Sequence, residues 1–264
     1  FDAAIALKPK LILLETPSNP LVRVVDIAET CRKAKEVGAL VAVDNTFLTP
    51  VFQKPLELGA DFVIHSTTKY INGHSDVIGG VVITKTEEHA EELAWWGNCI
   101  GATGTPFDSY MTLRGIRTLG ARMRVHEESS REILTALQKQ PLVDTIYHPS
   151  LPEHPGHEIA KKQQSGFGSM LSFEFAGSFE ALKHFVGELE LFSLAESLGG
   201  VESLICHPAS MTHRAMGEEA LAEAGVSHQL LRLSVGLEDA EDLIADLEQA
   251  FAKAQQFIDN GERK

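Results

Sequence analysis

Cysteine is scarce in this sequence, and basic residues are outnumbered by acidic ones. The 264 residues include three cysteines, Cys31, Cys99 and Cys206, and an odd number of scattered thiols does not suit a disulfide framework. We therefore expect a reducing, cytoplasmic location. The net charge is −14, from 37 acidic and 23 basic residues, which argues against nucleic acid or an anionic membrane as a partner. A small anionic substrate needs only a few local cations and is compatible with this charge.

Long apolar runs are also absent, and none approaches the length that spans a membrane. The composition, 44% hydrophobic and 23% charged, is that of an ordinary globular protein. For this chain length, usual domain sizes predict about two domains. Because the composition and the order of predicted elements change near Pro141, we place one domain in residues 1–140 and a second in residues 141–264.

The first 84 residues alternate between short apolar runs and polar turns. The runs at 10–15, 39–43, 62–64 and 77–84 are typical of strands. Asp26 precedes a helical pattern with Ile27, Cys31 and Ala34 on one face, and Gly38 closes it. Alternation of strand and helix at this spacing predicts an α/β domain with a parallel sheet and helices on its faces.

The rest of the chain is less regular. Residues 87–140 are mostly helical, with a long helix expected from Asp108 whose arginines form a solvated face. These arginines are Arg114, Arg117, Arg122 and Arg124. Beyond Pro141 the mixed order of strands and helices predicts a smaller α+β domain. His148, His154 and His157 lack the paired spacing of a zinc site, so we predict no metal.

Lys69 is the first candidate for catalysis. It follows a predicted strand and three hydroxyl residues, Ser66, Thr67 and Thr68, in the loop where open α/β sheets bind ligands. A lysine that loses part of its water shell there has a lowered pKa and can attack a carbonyl carbon as a Schiff-base lysine. The hydroxyls beside it could bind a phosphate. The alternative is an ordinary solvated lysine at a strand end.

Two more polar residues follow neighbouring predicted strands and should emerge at the same sheet edge as Lys69. Asn19 follows the first strand, and Asp44 follows the second. A carboxylate at the floor of a site would hold a ring nitrogen in its protonated state. The alternatives are that Asn19 is a turn residue between two prolines and that Asp44 is a helix N-cap.

Several motifs together resemble one enzyme family. In the first domain they are Glu15-Thr16-Pro17-Ser18-Asn19-Pro20, Val43-Asp44-Asn45-Thr46-Phe47 and His65-Ser66-Thr67-Thr68-Lys69-Tyr70. In the second they are the segments 195–204, 211–213 and 231–236. The family comprises the pyridoxal-phosphate (PLP) enzymes of cysteine and methionine metabolism, and the resemblance covers essentially the whole chain. Trp95-Trp96-Gly97-Asn98 and Phe107-Asp108-Ser109-Tyr110 are most similar to its γ-synthase branch.

The resemblance implies a fold and a set of roles in the first domain. The fold is that of PLP-dependent transferases of the aspartate aminotransferase type, fold type I, with a smaller α+β C-terminal domain. Lys69 matches the lysine that forms a Schiff base with PLP and then moves protons, and Asp44 matches the aspartate that pairs with the ring nitrogen. Ser66 and Thr68 match hydroxyls that bind the cofactor phosphate. Asn19 matches an asparagine near the ring hydroxyl and the substrate.

In the second domain the resemblance implies residues that bind the substrate. Arg232 matches the arginine that holds the substrate α-carboxylate, a role suited to a planar bidentate donor. Ser197 matches a residue near the same carboxylate, and Glu196 matches a specificity residue facing the substrate amine. Without the resemblance, Arg232 would be interpreted as a strand-edge charge and Glu196 as a solvated acid.

The implied activity is γ-replacement in methionine biosynthesis, in which an O-acylhomoserine, expected to be O-succinylhomoserine, and L-cysteine give L-cystathionine. Alternatives within the family are cystathionine γ-lyase, methionine γ-lyase and homoserine-ester sulfhydrylase. Alternatives outside it are a cofactor-free Schiff-base lyase and an inactive assembly domain.

The resemblance also implies an assembly and a missing part. Family members form homotetramers built from dimers, and we expect the same here. They also carry a further N-terminal stretch, with a glycine turn at the cofactor phosphate and a tyrosine stacked on the ring. No such residues precede Phe1, so we expect residues 1–140 to be an N-terminally incomplete PLP-binding domain.

Overall fold

The computed structural model describes residues 2–261, which form two compact units. Within the described residues, the first comprises residues up to 19, 23–120 and 152–167, and the second comprises residues 20–22, 121–151 and those from 168 onward. This division differs from a single boundary at residue 140, because the chain passes between the units more than once. Phe1 and residues 262–264, which belong to the predicted domains, lie outside the described residues.

The elements are numbered here in chain order. The strands are β1 (Leu11–Glu15), β2 (Leu40–Asp44), β3 (Phe62–Ser66), β4 (Gly80–Thr84), β5 (Val143–Tyr147), β6 (Met170–Phe175), β7 (Ser193–Leu194), β8 (Leu204–Cys206) and β9 (Leu230–Ser234). The helices are α1 (Asp2–Ala6), α2 (Ile27–Val37), α3 (Thr49–Phe52), α4 (Glu87–Ile100), α5 (Pro106–Ile116), α6 (Leu119–Leu137), α7 (His157–Gln163), α8 (Phe179–Gly187), α9 (Glu218–Ala224) and α10 (Ala240–Asp259). A π turn spans Thr67–Ile71, and a 3-10 turn spans Arg214–Met216.

The first unit is built on a sheet with the strand order β1-β2-β3-β4. Strands β1, β2 and β3 are parallel, as predicted, but β4 runs antiparallel to β3. The prediction of a wholly parallel sheet is therefore wrong at β4. Only residues 72–79 connect the π turn to β4, and a parallel return needs a crossover of a dozen or more residues.

The structure confirms the predicted helix α2, and local sequence signals explain where it begins and ends. Its first turn is capped by Asp26, whose side chain accepts a hydrogen bond from the Glu29 main-chain N–H at 2.9 Å. It ends at Gly38, which adopts the left-handed conformation at φ 74° that glycine tolerates best. The buried face of α2 packs on β2 and forms the core of the first unit. That core includes Ile27, Ala34, Val41 and Val43.

The second unit has a mixed sheet in the order β5-β6-β9-β8-β7. All neighbouring pairs are antiparallel except β7 and β8. Apolar residues from the sheet and from α6, α8 and α10 form one core, in which the rings of Phe173, Phe185 and Phe251 meet. This is the α+β arrangement predicted for the C-terminal part of the chain.

The predicted long helix from Asp108 is interrupted. Helix α5 ends at Ile116, and α6 begins at Leu119. Arg122 is also only 6% exposed, while Arg114, Arg117 and Arg124 are exposed, so the prediction of a fully solvated arginine face is wrong at Arg122. The reason is helical periodicity, because Arg122 shares a face of α6 with the buried residues Met123 and His126. Burial lowers the pKa of the Arg122 guanidinium.

Among residues 2–261, no helix combines the length and the apolar character that crossing a membrane requires. Within the same residues, no group of three or more His, Cys, Asp or Glu side chains is arranged to hold a metal ion.

Candidate active site

The carboxyl ends of three parallel strands bring polar residues to one edge of the first sheet. Glu15 at the end of β1 is paired in register with Asp44 at the end of β2, and Asp44 is paired with Ile64 of β3. Ser66, the last residue of β3, follows two positions later, and the π turn that carries Lys69 begins directly after it. This is the edge at which open α/β sheets bind ligands.

A chain of hydrogen bonds links the ends of β2 and β3. Oδ1 of Asp44 accepts one bond from the Thr46 main-chain N–H at 3.0 Å and another from the Thr46 hydroxyl at 2.6 Å. The Thr46 Oγ1 in turn accepts a bond from the Ser66 main-chain N–H at 2.9 Å. The carboxylate therefore has a fixed position relative to the start of the Lys69 turn.

These bonds leave one carboxylate oxygen of Asp44 available. In the described part of the chain, both hydrogen bonds to this side chain end on Oδ1 and none on Oδ2. The bond from Thr46 N–H closes an Asx turn. Asp44 does not cap a helix, because α3 begins at Thr49 and its N-cap is Leu48.

Lys69 lies on a tight turn and is half-buried. The turn is closed by bonds from Asn72 N–H to Thr67 O at 3.0 Å and from Gly73 N–H to Lys69 O at 2.7 Å. Lys69 itself departs from helical geometry, with φ −90° and ψ −135°. Its backbone is therefore positioned by specific contacts, unlike that of an ordinary solvated lysine at a strand end.

The hydroxyl residues beside Lys69 differ in their partners. Thr68 Oγ1 accepts a bond from Gly79 N–H at 3.0 Å and donates to Gly79 O at 3.3 Å. The Ser66 hydroxyl makes no hydrogen bond among residues 2–261. Gly79 must lack a side chain, because a Cβ there would stand 2.8 Å from Thr67 Oγ1.

Glu15 and Asn19 form the β1 side of the site. Oε1 of Glu15 accepts a bond from the Asn19 main-chain N–H at 2.9 Å, which closes the turn that carries Asn19. Although Glu15 as a whole is exposed, the protein atoms crowding its carboxyl raise its pKa, the Asn19 bond lowers it, and the charge of Asp44 raises it. The net effect is a raised pKa, so Glu15 binds a proton more readily than an isolated glutamate does.

Two buried amide side chains, Asn45 and Gln53, make further hydrogen bonds near the same edge of the sheet. Nε2 of Gln53 donates to Thr16 O at 3.0 Å and to Asn45 Oδ1 at 2.9 Å. Nδ2 of Asn45 donates to the carbonyl oxygens of Thr49 and Gln53. These bonds connect the turn after β1 to the segment after β2. They therefore hold the main chain near Asn19 in a fixed position relative to the main chain near Asp44.

His65 alternates with Ile64 and Ser66 along β3, so its side chain faces away from the Asp44 side of the sheet. It lines an apolar cavity of about 440 Å³ together with Val63 and Ile83. Burial lowers the pKa of His65, and the charge of Asp44 and a hydrogen bond with the Asn45 main chain only partly offset this. The cavity lining includes neither Lys69 nor Asp44, so it is separate from the predicted site.

The second unit brings together the three residues predicted to bind substrate. Arg232, on the central strand β9, is only 1% exposed. Its Nη2 donates to the main-chain oxygens of Glu196 and Ser197, both at 2.9 Å. The guanidinium plane is therefore fixed, because both protons of Nη2 are used. The side chain of Glu196 is exposed, and Ser197 is half-buried.

The loop that carries Glu196 and Ser197 is fastened to β9 at further points. Gly199 N–H donates to Ser234 Oγ at 2.8 Å, and Ser203 Oγ accepts from Gly236 N–H at 2.8 Å. Ser203 also donates to Glu238 through its N–H at 2.7 Å and its hydroxyl at 2.8 Å. A Cβ at residue 236 would collide with Glu238 and with the main chain of residues 201 and 202.

Sequence reasoning predicted Lys69, Asp44 and Arg232 as site residues, but it did not predict the residues that form hydrogen bonds around them. Thr46, Ser203 and Glu238 have no role in the predictions, yet each makes two or more of the hydrogen bonds described above. The Asp-x-Thr spacing at residues 44–46 was a usable signal, because an aspartate commonly bonds the main chain two residues on. For Ser203 and Glu238, which are 35 residues apart, no local signal existed.

Comparison with known proteins shows similar sequences and structures. The chain is 62% identical over 252 residues to the cystathionine gamma-synthase of Escherichia coli (strain K12), and 50% identical over 249 residues to the cystathionine gamma-lyase of Bacillus subtilis (strain 168). These alignments cover 96% and 94% of this chain. The structure matches a cystathionine gamma synthase from Xanthomonas oryzae pv. oryzae, crystallised in complex with aminoacrylate and cysteine. That match has a TM-score of 0.95 and 56% identity, over 97% of this chain.

The chain spans 65% of the length of both curated relatives and 66% of the solved structure. The likeness confirms the predicted fold class. A family model described as Cys/Met metabolism PLP-dependent enzyme matches residues 1–252. With the site geometry and these similarities, the chain belongs to the PLP-dependent enzymes of cysteine and methionine metabolism.

Proposed function

We propose that this chain carries the catalytic lysine of an enzyme that joins an O-acylhomoserine, preferably O-succinylhomoserine, to L-cysteine to give L-cystathionine. The observation that best supports it is the Asp44 carboxylate, held through Oδ1 beside the strand end from which the Lys69 turn departs. The higher identity to a γ-synthase, 62% against 50% for a γ-lyase, favours replacement over elimination.

The donor set of the first unit fits PLP. Oδ2 of Asp44 can accept a hydrogen bond from a protonated ring nitrogen, whose charge the carboxylate stabilises. The Ser66 hydroxyl can donate to a phosphate oxygen. Thr68 has one hydroxyl proton, and it can exchange its 3.3 Å bond to Gly79 O for a stronger charge-assisted bond to phosphate. Asn19, on the turn closed by Glu15, is proposed to lie near the ring hydroxyl.

The remaining chemistry is divided between cofactor and chain. When bound, PLP supplies an aldehyde for amines and an electron-withdrawing ring that makes the α-proton of an amino acid removable. Lys69 would hold the cofactor through its amine until the substrate amine displaces it. The freed Lys69 amine would then take up the α-proton and a β-proton in turn, and return them to the carbon chain. Between these transfers the acyl group would leave the γ-carbon as a carboxylate and the cysteine thiol, losing its own proton, would form a bond to that carbon. Arg232, with Ser197 beside it, binds the α-carboxylate, and Glu196 contributes to choice of substrate.

The assembly and location follow from the same family membership. We propose a homotetramer made of two dimers, which acts in the cytoplasm on small amino acids. Light scattering of the protein at its natural length should give four times the protomer mass. A monomer that retains γ-replacement activity would contradict the assembly.

The test uses the protein at its natural length and the variants Lys69→Ala and Lys85→Ala. We expect the unmodified protein to bind PLP with a visible absorbance that borohydride removes, leaving a cofactor mass on the peptide that contains Lys69. It should convert O-succinylhomoserine and cysteine to cystathionine. Lys69→Ala should lose the label and the activity while its circular dichroism spectrum is unchanged. Lys85, which is exposed and follows β4, is the control, and its variant should keep both.

The product distinguishes the rival activities. Breakdown of cystathionine in the absence of any acylhomoserine, without net synthesis, would replace the proposed γ-synthase with a γ-lyase. γ-Replacement that survives Lys69→Ala would contradict the catalytic assignment itself.

A further inference from the structure

Thr46 makes hydrogen bonds to two parts of the first unit that the proposed function uses, the Asp44 carboxylate and the start of the Lys69 turn. Its hydroxyl contacts Oδ1 of Asp44 at 2.6 Å, and it accepts a bond from the main-chain N–H of Ser66 at 2.9 Å. The residue is half-buried. No other described residue donates a side-chain hydrogen bond to Asp44.

The direction of each bond follows from the partners. A carboxylate only accepts hydrogen bonds, and a main-chain N–H only donates. The single proton of the Thr46 hydroxyl must therefore point at Asp44, while its oxygen receives the Ser66 N–H. A hydroxyl held in this way has one orientation, and so does the carboxylate that it contacts.

We infer that Thr46 is a positioning residue, which holds the Asp44 carboxylate toward the cofactor ring nitrogen and ties it to the start of the Lys69 turn. This inference rests on the proposed function, because it assigns a partner to the ring-nitrogen carboxylate. Thr46 acts through Asp44 on one side and through the Ser66 main chain on the other.

The test compares PLP affinity in three variants of the protein at its natural length, prepared without cofactor and titrated with PLP by visible absorbance. Thr46→Val removes the hydroxyl at nearly constant shape, and we expect it to weaken PLP binding by about tenfold, since the lost hydrogen bond ends on a charged carboxylate. Thr46→Ser keeps the hydroxyl and should restore binding. Thr84→Val is the control, because the Thr84 hydroxyl bonds only Thr86 O at 2.9 Å and lies opposite Phe62, at the other end of β3.

A double-mutant cycle separates positioning from simple loss of structure. If Thr46 acts mainly through Asp44, Thr46→Val should have a clearly smaller effect on PLP affinity in an Asp44→Ala background, where the acceptor of its hydroxyl is absent. An equal effect in both backgrounds, or failure of Thr46→Ser to restore binding, would overturn the inference. Should Thr46→Val not fold, Thr46→Cys makes the same comparison, since a thiol is a weaker donor and acceptor.

Two failures are distinguishable. Absence of PLP binding by the unmodified protein overturns the proposed function and this inference with it. Normal binding by the unmodified protein with unchanged affinity in Thr46→Val overturns only the role of Thr46.

Discussion

Gly115 of α5 lies directly against the main chain of Asn72, the residue that ends the Lys69 turn. A Cβ on residue 115 would stand 2.9 Å from the Asn72 Cα and 2.7 Å from the Ile71 carbonyl oxygen. Both distances are shorter than ordinary van der Waals contact. Helix α5 therefore packs closely against the turn that carries Lys69 and helps to position it.

Gly115→Ala should consequently destabilise the protein and disturb the Lys69 turn. Overpacking of this kind costs about 1–3 kcal/mol, which exceeds the gain of up to ~1 kcal/mol from replacing a helical glycine with alanine. Urea unfolding measures the change. Gly97→Ala in α4 is the matched control, because its Cβ would meet only Ala102 O at 3.7 Å. Equal stability changes in the two variants would refute the contact.

Ser203→Ala should lower stability and weaken substrate binding. The substitution removes the hydroxyl bond to Glu238 and leaves the buried Gly236 N–H without its acceptor, at a cost of about 1–3 kcal/mol. It also loosens the loop whose carbonyls orient Arg232. We expect a higher KM for the acylhomoserine and little change in PLP affinity. Ser130 is equally buried at 0% exposure, but its hydroxyl has no partner among the described residues. Ser130→Ala should therefore leave stability unchanged. A similar loss of stability in that variant would contradict the role given to the Ser203 hydroxyl.

Arg232→Lys should reduce kcat/KM by at least about a hundredfold, since a lysine cannot reproduce a planar guanidinium fixed by two main-chain bonds. The loss should appear mainly in KM for the amino-acid substrate, with PLP absorbance retained. Steady-state kinetics at several substrate concentrations measures it. Unchanged KM would show that the carboxylate is bound elsewhere.

His126 should make the second unit sensitive to acid. Its pKa is lowered to about 4, mainly by burial and to a smaller extent by the neighbouring Arg122, although bonds with the Val235 and Gly236 main chains and the charge of Glu238 oppose this. Because the folded pKa lies below the ordinary value of about 6.5, the stabilisation is complete above pH ~6.5 and is lost as the pH falls toward 4. Its size is about 3 kcal/mol.

The measurement is urea unfolding between pH 7 and pH 4. His126→Gln should have a shallower acid dependence than the unmodified protein. His228→Gln should not, because His228 is exposed. Parallel pH profiles for all three proteins would contradict the assignment.

Local sequence signals determined much of the first unit. Asp26 and Gly38 set the ends of α2, because capping and left-handed geometry depend on adjacent residues. The apolar runs at 10–15, 39–43 and 62–64 predicted three strands and the sheet edge at which Asp44 and Lys69 were expected. The resemblance of the motifs around these residues to one enzyme family also predicted the fold class.

Other features depended on contacts between residues distant in sequence. The antiparallel β4 follows from a short connection, the burial of Arg122 follows from how α6 packs, and the fixed plane of Arg232 follows from carbonyls 35 and 36 residues away. The sequence by itself therefore determined which residues are reactive or able to bind ligands, because that depends on the type of side chain and on its neighbours in the sequence. Only the tertiary structure decided how they are oriented, because a hydrogen-bond partner is chosen by distance in space.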